Sequence, residues 1–226
     1  MNLIAHRGAF DNVSIPENSI KAFNEAIKLN LAVEYDVQLT KDNVLVVFHD
    51  DNLYRMTGVD KKIEDVTFDE ISKLTLLNTK EHIPTLKEVL KLIDNKVFMD
   101  IEIKNTKKYK VLCDFLINEL KNYNNYSLKS FNPKIVRYLK NNYKDINIGY
   151  SIGDYYDKEI FNLILPTKLI IKYSKCNFIS ISKKLLKKNK FIKLSKKYPT
   201  QIWTIKDKQE LVNDNYTYIC NNIKNM

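Results

Sequence analysis

Glycine is scarce. Only four of the 226 residues are Gly, too few for the glycine-rich cradle of P-loop or dinucleotide-binding proteins, so a nucleotide cofactor is disfavoured. Cysteine is scarcer still. Cys113, Cys176 and Cys220 are odd in number, far apart and lack CxxC spacing, which argues against a disulfide framework or a structural zinc site and suits free thiols in a reducing compartment. No run of 18 apolar residues occurs, and Met1-Asn2-Leu3-Ile4-Ala5-His6 has neither a basic n-region nor an apolar h-region. The expectation is a cytoplasmic chain without a spanning helix. Repeats, low-complexity linkers and Gly/Ser-rich hinges are also missing, so residues 1–226 read as a single domain.

What is abundant is positive charge. The formal net charge is +10, with 37 Lys and Arg against 27 Asp and Glu, and such a surface draws anionic partners. Much of the excess lies in Lys183-Lys184, Lys187-Lys188, Lys190, Lys193 and Lys196-Lys197, which reads as one helix and its flanks with a solvated face. No nucleic-acid reading motif accompanies it, so nucleic acid is not expected as a partner. Weak association with an anionic membrane surface is compatible with the charge.

Short apolar runs alternate with segments of helical period, the pattern of βαβ units and a parallel sheet. Eight candidate strands are Leu3 to His6, Val33 to Leu39, Val97 to Ile103, Tyr126 to Ser130, Ile146 to Ser151, Phe178 to Ser182, Gln201 to Ile205 and Tyr216 to Cys220. The fold class is therefore α/β, a (β/α)8 TIM barrel. Pro16-Glu17-Asn18-Ser19 opens the first helix, with Ile20, Phe23, Ala26 and Ile27 on one face, and Thr85 caps another that carries Leu86, Val89, Leu90 and Ile93. Between the second strand and its helix, residues 40–84 read as a small insertion. It runs through the turn Thr40 to Asn43 into the apolar strand Val44 to Phe48 and then His49-Asp50, and long βα-loops are where barrels carry functional groups.

Side chains two apart on a strand share a face, so Glu34 pairs with Asp36 and Glu102 with Lys104. Central parallel strands are normally almost wholly apolar, which makes such charged pairs hard to explain structurally. At the C-terminal mouth of a barrel they would meet His6-Arg7 at the end of the first strand. Three buried carboxylates repel one another unless a cation compensates them, and an all-oxygen set suits one divalent cation, Mg2+ or Ca2+. Arg7 and Lys104 suit phosphate oxygens. Of three His, His6 and His49 end strands and are the candidates for acid and base; His82 lies in a polar loop.

These residues fall in segments that resemble the glycerophosphodiester phosphodiesterase family: His6-Arg7-Gly8, Pro16-Glu17-Asn18-Ser19, Glu34-Tyr35-Asp36-Val37-Gln38-Leu39-Thr40-Lys41-Asp42, Val46-Val47-Phe48-His49-Asp50 and Arg55-Met56-Thr57-Gly58. Ile83-Pro84-Thr85-Leu86, Ile101-Glu102-Ile103-Lys104, Ser130-Phe131 and Trp203-Thr204 continue the likeness. It implies a (β/α)8 barrel with a small insertion after the second strand, a metal on Glu34, Asp36 and Glu102, phosphate on Arg7 and Lys104, and His6 and His49 as catalytic acid and base. Glu17 would support the pocket from behind and Trp203 would line it.

The implied reaction is hydrolysis of a glycerophosphodiester, such as glycerophosphocholine, to sn-glycerol 3-phosphate and an alcohol, through attack of the glycerol 2-hydroxyl on phosphorus. Late in the chain the likeness fades. Tyr218-Ile219-Cys220-Asn221-Asn222 stands where the family commonly has a Gly-Ile-Ile-Thr-Asp type segment, and Lys206 stands where Asn is common. These positions are expected at the rim and the alcohol side of the pocket. Two alternatives are a lysophospholipase D-like enzyme acting at membranes and a non-catalytic barrel serving as a binding or regulatory module.

Overall fold

The computed structural model describes residues 2–154, 166–221 and 223. Met1 and Asn222, each part of a segment singled out above, lie outside the described residues. Nine strands occur among those described: β1 (Asn2–His6), β2 (Ala32–Leu39), β3 (Leu45–Val47), β4 (Met99–Ile103), β5 (Tyr126–Ser130), β6 (Ile148–Ile152), β7 (Phe178–Ser182), β8 (Thr200–Ile205) and β9 (Thr217–Cys220). All are parallel except β3, which pairs antiparallel with β2. The order β1-β9-β8-β7-β6-β5-β4-β2 closes through β1–β2 pairing, so eight parallel strands form a (β/α)8 barrel and β3 is an extra strand at its edge. The expected strands all occur, with ends shifted by at most two residues.

Alternation on the strands explains both the packing and the site. On β2, Val33, Tyr35, Val37 and Leu39 join the apolar layer with Phe23, Leu86, Val89 and Leu90 from the covering helices. Glu34, Asp36 and Gln38 take the opposite face and line the barrel interior. Met99, Ile101 and Ile103 on β4 likewise enter the apolar layer, which leaves Asp100 and Glu102 inside. Outward burial thus stabilises the strands that carry charge inward.

Local signals act where the sequence places them. Ser19 caps the helix Ile20–Lys28 by accepting from the Ala22 amide, and Thr85 caps Leu86–Ile93 in a reciprocal capping box with Glu88. Gly8 leaves β1 at φ +83°, and a Cβ there would stand 2.8 Å from the Ala22 Cβ, so only Gly lets this turn press on the first helix. The insertion has its own apolar cluster, in which Val46, Phe48, Leu53, Met56, Ile63, Ile71 and Ile83 pack together. That cluster holds His49 and Arg55 against the barrel mouth.

The lysine-rich stretch departs from the single helix expected. It folds as a 3-10 turn, Lys183–Lys187, and a short helix, Asn189–Ser195, with Lys188 extended between them. Leu185 and Phe191 are both buried, and residues six apart fall on different sides of a continuous helix, so the chain breaks to bury both. Lys184 pairs with Asp154 and Lys183 with Glu210. Cys113 and Cys220 are buried free thiols, each pushed up to about 12 chiefly by burial. No helix among the described residues is long and apolar enough to cross a membrane.

Candidate active site

The strand register sets the carboxylates side by side. Glu34 is level with Asp100 and with His6 on the other flank, and Asp36 is level with Glu102. Ligand oxygens of Glu34, Asp36 and Glu102 lie within 4.8 Å of one another, and all three residues are buried. Burial pushes the Glu34 carboxyl up, and the charges of Asp36 and Asp100 add to this against the pull of Lys129. Glu102 is pushed up in the same way by burial and by Asp36, against Lys104. Asp36 goes the other way: burial raises it, but Lys104, His49 and Arg7 together hold it below the usual carboxylate range.

Cations crowd the same mouth. Lys104 Nζ lies 3.2 Å from Glu102 Oε1 and 3.6 Å from Asp36 Oδ1. Arg7 adopts φ +55°, a left-handed conformation that non-glycine residues rarely take. It sends Nη1 to Glu17 Oε1 at 2.6 Å and Nε to within 3.6 Å of Asp36 Oδ2, while its backbone N–H donates to Glu34 Oε2 at 3.2 Å. Glu17 is the hub behind Arg7. It also accepts from Arg55 Nη2 at 2.6 Å and from Asn12 Nδ2 at 2.8 Å. Although burial works against it, these partners bring the Glu17 carboxyl down to about 2.

The two imidazoles have different backing. His6 Nδ1 lies 2.6 Å from Asn221 Oδ1, and its Nε2 is 3.8 Å from Glu34 Oε2. An amide oxygen only accepts, so His6 carries its proton on Nδ1. Burial, followed by the charge of Arg7, lowers His6 to about 4, and near neutral pH it is uncharged. His49 Nδ1 instead donates to Asp50 Oδ1 at 2.6 Å. Burial raises Asp50, but hydrogen bonds from Arg55 and His49 outweigh it and hold that carboxyl low. His6, Arg7, Glu34, Asp36, His49 and Glu102 line one cavity of about 80 Å3, whose wall is Trp203 set edge-on to Phe131. His82 is elsewhere, paired with Glu88 at the surface.

A family model for the glycerophosphoryl diester phosphodiesterase family matches residues 6–219. The chain belongs to that family. It is 40% identical over 159 residues to a glycerophosphodiester phosphodiesterase of Caldanaerobacter subterraneus, covering 65% of each chain. It is 30% identical over 158 residues to human glycerophosphodiester phosphodiesterase 1, covering 65% of this chain and 47% of that one. Among solved structures, a glycerophosphodiester phosphodiesterase from Thermotoga maritima superposes with TM-score 0.77 at 25% identity, covering 98% of this chain and 95% of that one. An Oleispira antarctica phosphodiesterase in complex with the product sn-glycerol-3-phosphate superposes with TM-score 0.81 at 23% identity, covering 98% and 93%. The matched segment spans about two thirds of the first curated relative's length and about half of the human one's.

The divergent end of β9, expected at the rim and the alcohol side of the pocket, also touches a candidate catalytic residue, because Asn221 binds His6 directly and Ile219 lines the cavity. A residue after the last strand reaches His6 because closure of the barrel makes β9 the neighbour of β1. Lys206 does lie exposed, its backbone N–H donating to Glu210.

The donor set fits a divalent cation. Six carboxylates, Glu17, Glu34, Asp36, Asp50, Asp100 and Glu102, share ion pairs with four permanent cations, Arg7, Arg55, Lys104 and Lys129. The excess is two negative charges, and three of the carboxylates converge with oxygens only, the ligand type of Mg2+ and Ca2+. Asp100 and Lys129 were not singled out from the sequence. The same two-residue period that pairs Glu102 with Lys104 would have put Asp100 inside the barrel, but the partner of Lys129 depends on a contact between strands.

Proposed function

We propose that this family member is a metal-dependent phosphodiesterase that hydrolyses glycerophosphodiesters such as glycerophosphocholine to sn-glycerol 3-phosphate and an alcohol. The observation that carries this reading is the meeting of Glu34, Asp36 and Glu102 with two differently backed imidazoles in one cavity. Barrel and insertion act in it as a single catalytic unit, because His6 comes from β1 and His49 from the insertion.

Glu34, Asp36 and Glu102 would hold one Mg2+ or Ca2+. When bound, the ion supplies Lewis-acid polarisation of a phosphoryl oxygen and offsets charge on the phosphate. Arg7 and Lys104 bind the remaining phosphate oxygens. His6, neutral and with its Nδ1 proton held by Asn221, takes the glycerol 2-hydroxyl proton on Nε2 as that oxygen bonds to phosphorus. His49 gives a proton to the departing alcohol oxygen as its bond to phosphorus breaks, and the positive charge it carries before transfer is balanced by Asp50. In the second half, water adds to the cyclic phosphate and loses a proton to His49. The ring opens at the 2-oxygen, which recovers its proton from His6, and sn-glycerol 3-phosphate results.

Release of sn-glycerol 3-phosphate from glycerophosphocholine, followed by a coupled dehydrogenase assay, tests this directly. Chelator should abolish it, added Mg2+ or Ca2+ should restore it, and His6→Ala or His49→Ala should lower kcat by about 100-fold or more. Undiminished turnover in either variant, or in chelator, would sink the mechanism. Turnover of lysophospholipid vesicles but of no soluble diester would move the substrate to the membrane.

A further inference from the structure

Inside the barrel, lining the same cavity as the three carboxylates, sits an ammonium that neither phosphate binding nor proton transfer uses. Lys129 on β5 is only 2% exposed and lies level with Glu102 in the strand register. Its Nζ turns away from the mouth to Asp100 Oδ2 at 2.8 Å and to Glu34 Oε1 at 3.1 Å. Asp100 is fully buried, and its Oδ1 accepts from Ser127 Oγ at 2.6 Å and from Gln201 Nε2 at 3.0 Å, the latter reaching across the barrel from β8. Both oxygens of Asp100 are therefore committed, and so is the ammonium they hold.

The consequence falls on Glu34, whose two oxygens are not equivalent. Oε1 faces Lys129, whereas Oε2 faces the Arg7 backbone N–H and His6 Nε2 at the mouth. A partner behind a metal ligand fixes its orientation and tunes its donor strength. Here that partner is a permanent positive charge in a 3.1 Å ion pair with a ligand, on a buried side chain whose surroundings screen charge less than water does. It repels a cation bound by the same carboxylate, and Asp100, paired with the same ammonium at 2.8 Å, offsets part of that repulsion.

We propose that Lys129 and Asp100 form a positioning pair that turns Glu34 Oε2 toward the divalent ion and weakens the hold of the site on that ion. This rests on the reading that Glu34, Asp36 and Glu102 bind a cation. It assigns opposite effects to the two members of the pair. Removing the Asp100 charge leaves the ammonium unshielded and should loosen the ion, whereas removing both charges should tighten it.

Calorimetric titration of Mg2+ or Ca2+ alone into metal-free protein reads this without substrate. Asp100→Asn should raise Kd at least threefold, and Asp100→Asn/Lys129→Met should lower Kd at least tenfold below wild type, with far-UV CD unchanged. Packing alone would shift both variants the same way or neither, and either result overturns the proposal. Should the double variant not fold, an unchanged or lower Kd in Asp100→Asn overturns it. Wild-type binding with unshifted variants would refute only the pair, whereas no binding by any of the three proteins would refute the metal site itself.

Discussion

Glu17→Gln removes one charge while keeping the shape of the side chain, and it probes the hub that ties β1 to the insertion. Glu17 is 5% exposed and accepts from Arg7, Arg55 and Asn12. Its carboxyl falls from 4.5 to about 2, and at about 1.4 kcal/mol per pKa unit the ionised form contributes about 3 kcal/mol at neutral pH. Removing one partner from a buried ion pair costs about 3 to 5 kcal/mol, a similar size. For a chain of this length the loss should lower Tm by about 6 to 12 °C. The folded-state value is depressed, so the stabilisation is complete above the unfolded value near 4.5 and is lost as pH falls toward 2. Urea unfolding of wild type and Glu17→Gln at pH 7 and at pH 3.5 would measure both the gap and its pH dependence. The gap should be about 1 kcal/mol smaller at the lower pH. A gap below about 1 kcal/mol at pH 7, or one that does not narrow on acidification, would refute the hub.

Two further outcomes follow from particular contacts. Asn221→Ala leaves the Nδ1 proton of His6 without an acceptor, so the ring can turn or change tautomer; kcat should fall about tenfold with Tm nearly unchanged, and an unaltered kcat would remove Asn221 from the site. Gly149→Ala would put a Cβ 2.2 Å from the Phe178 ring, an overpacking that should cost about 1 to 3 kcal/mol in chemical denaturation, and a neutral result would show that Phe178 moves aside freely.

Much of the architecture was legible in the sequence because it depends on local period. The alternation in Glu34-Tyr35-Asp36 states at once that Tyr35 packs outward and that both carboxylates line the barrel, and the structure places them so. Thr85 ahead of Leu86, Val89, Leu90 and Ile93 announces its helix equally locally. What stayed hidden depends on barrel closure. Asn221 meets His6 only because β9 pairs with β1, and Asp100 meets Gln201 only across the interior. The lysine-rich stretch misleads for a different reason: its charges suggest one solvated helix, but burial of Leu185 and Phe191 decides its path.

The most direct test of the site is where a cation binds. Crystals soaked in Mn2+, a scatterer that stands in for Mg2+, should give one strong anomalous peak bonded to carboxylate oxygens of Glu34, Asp36 and Glu102, with the imidazoles of His6 and His49 in the same cavity. A peak elsewhere, or none between those three carboxylates, would contradict a metal-dependent phosphodiesterase built on them.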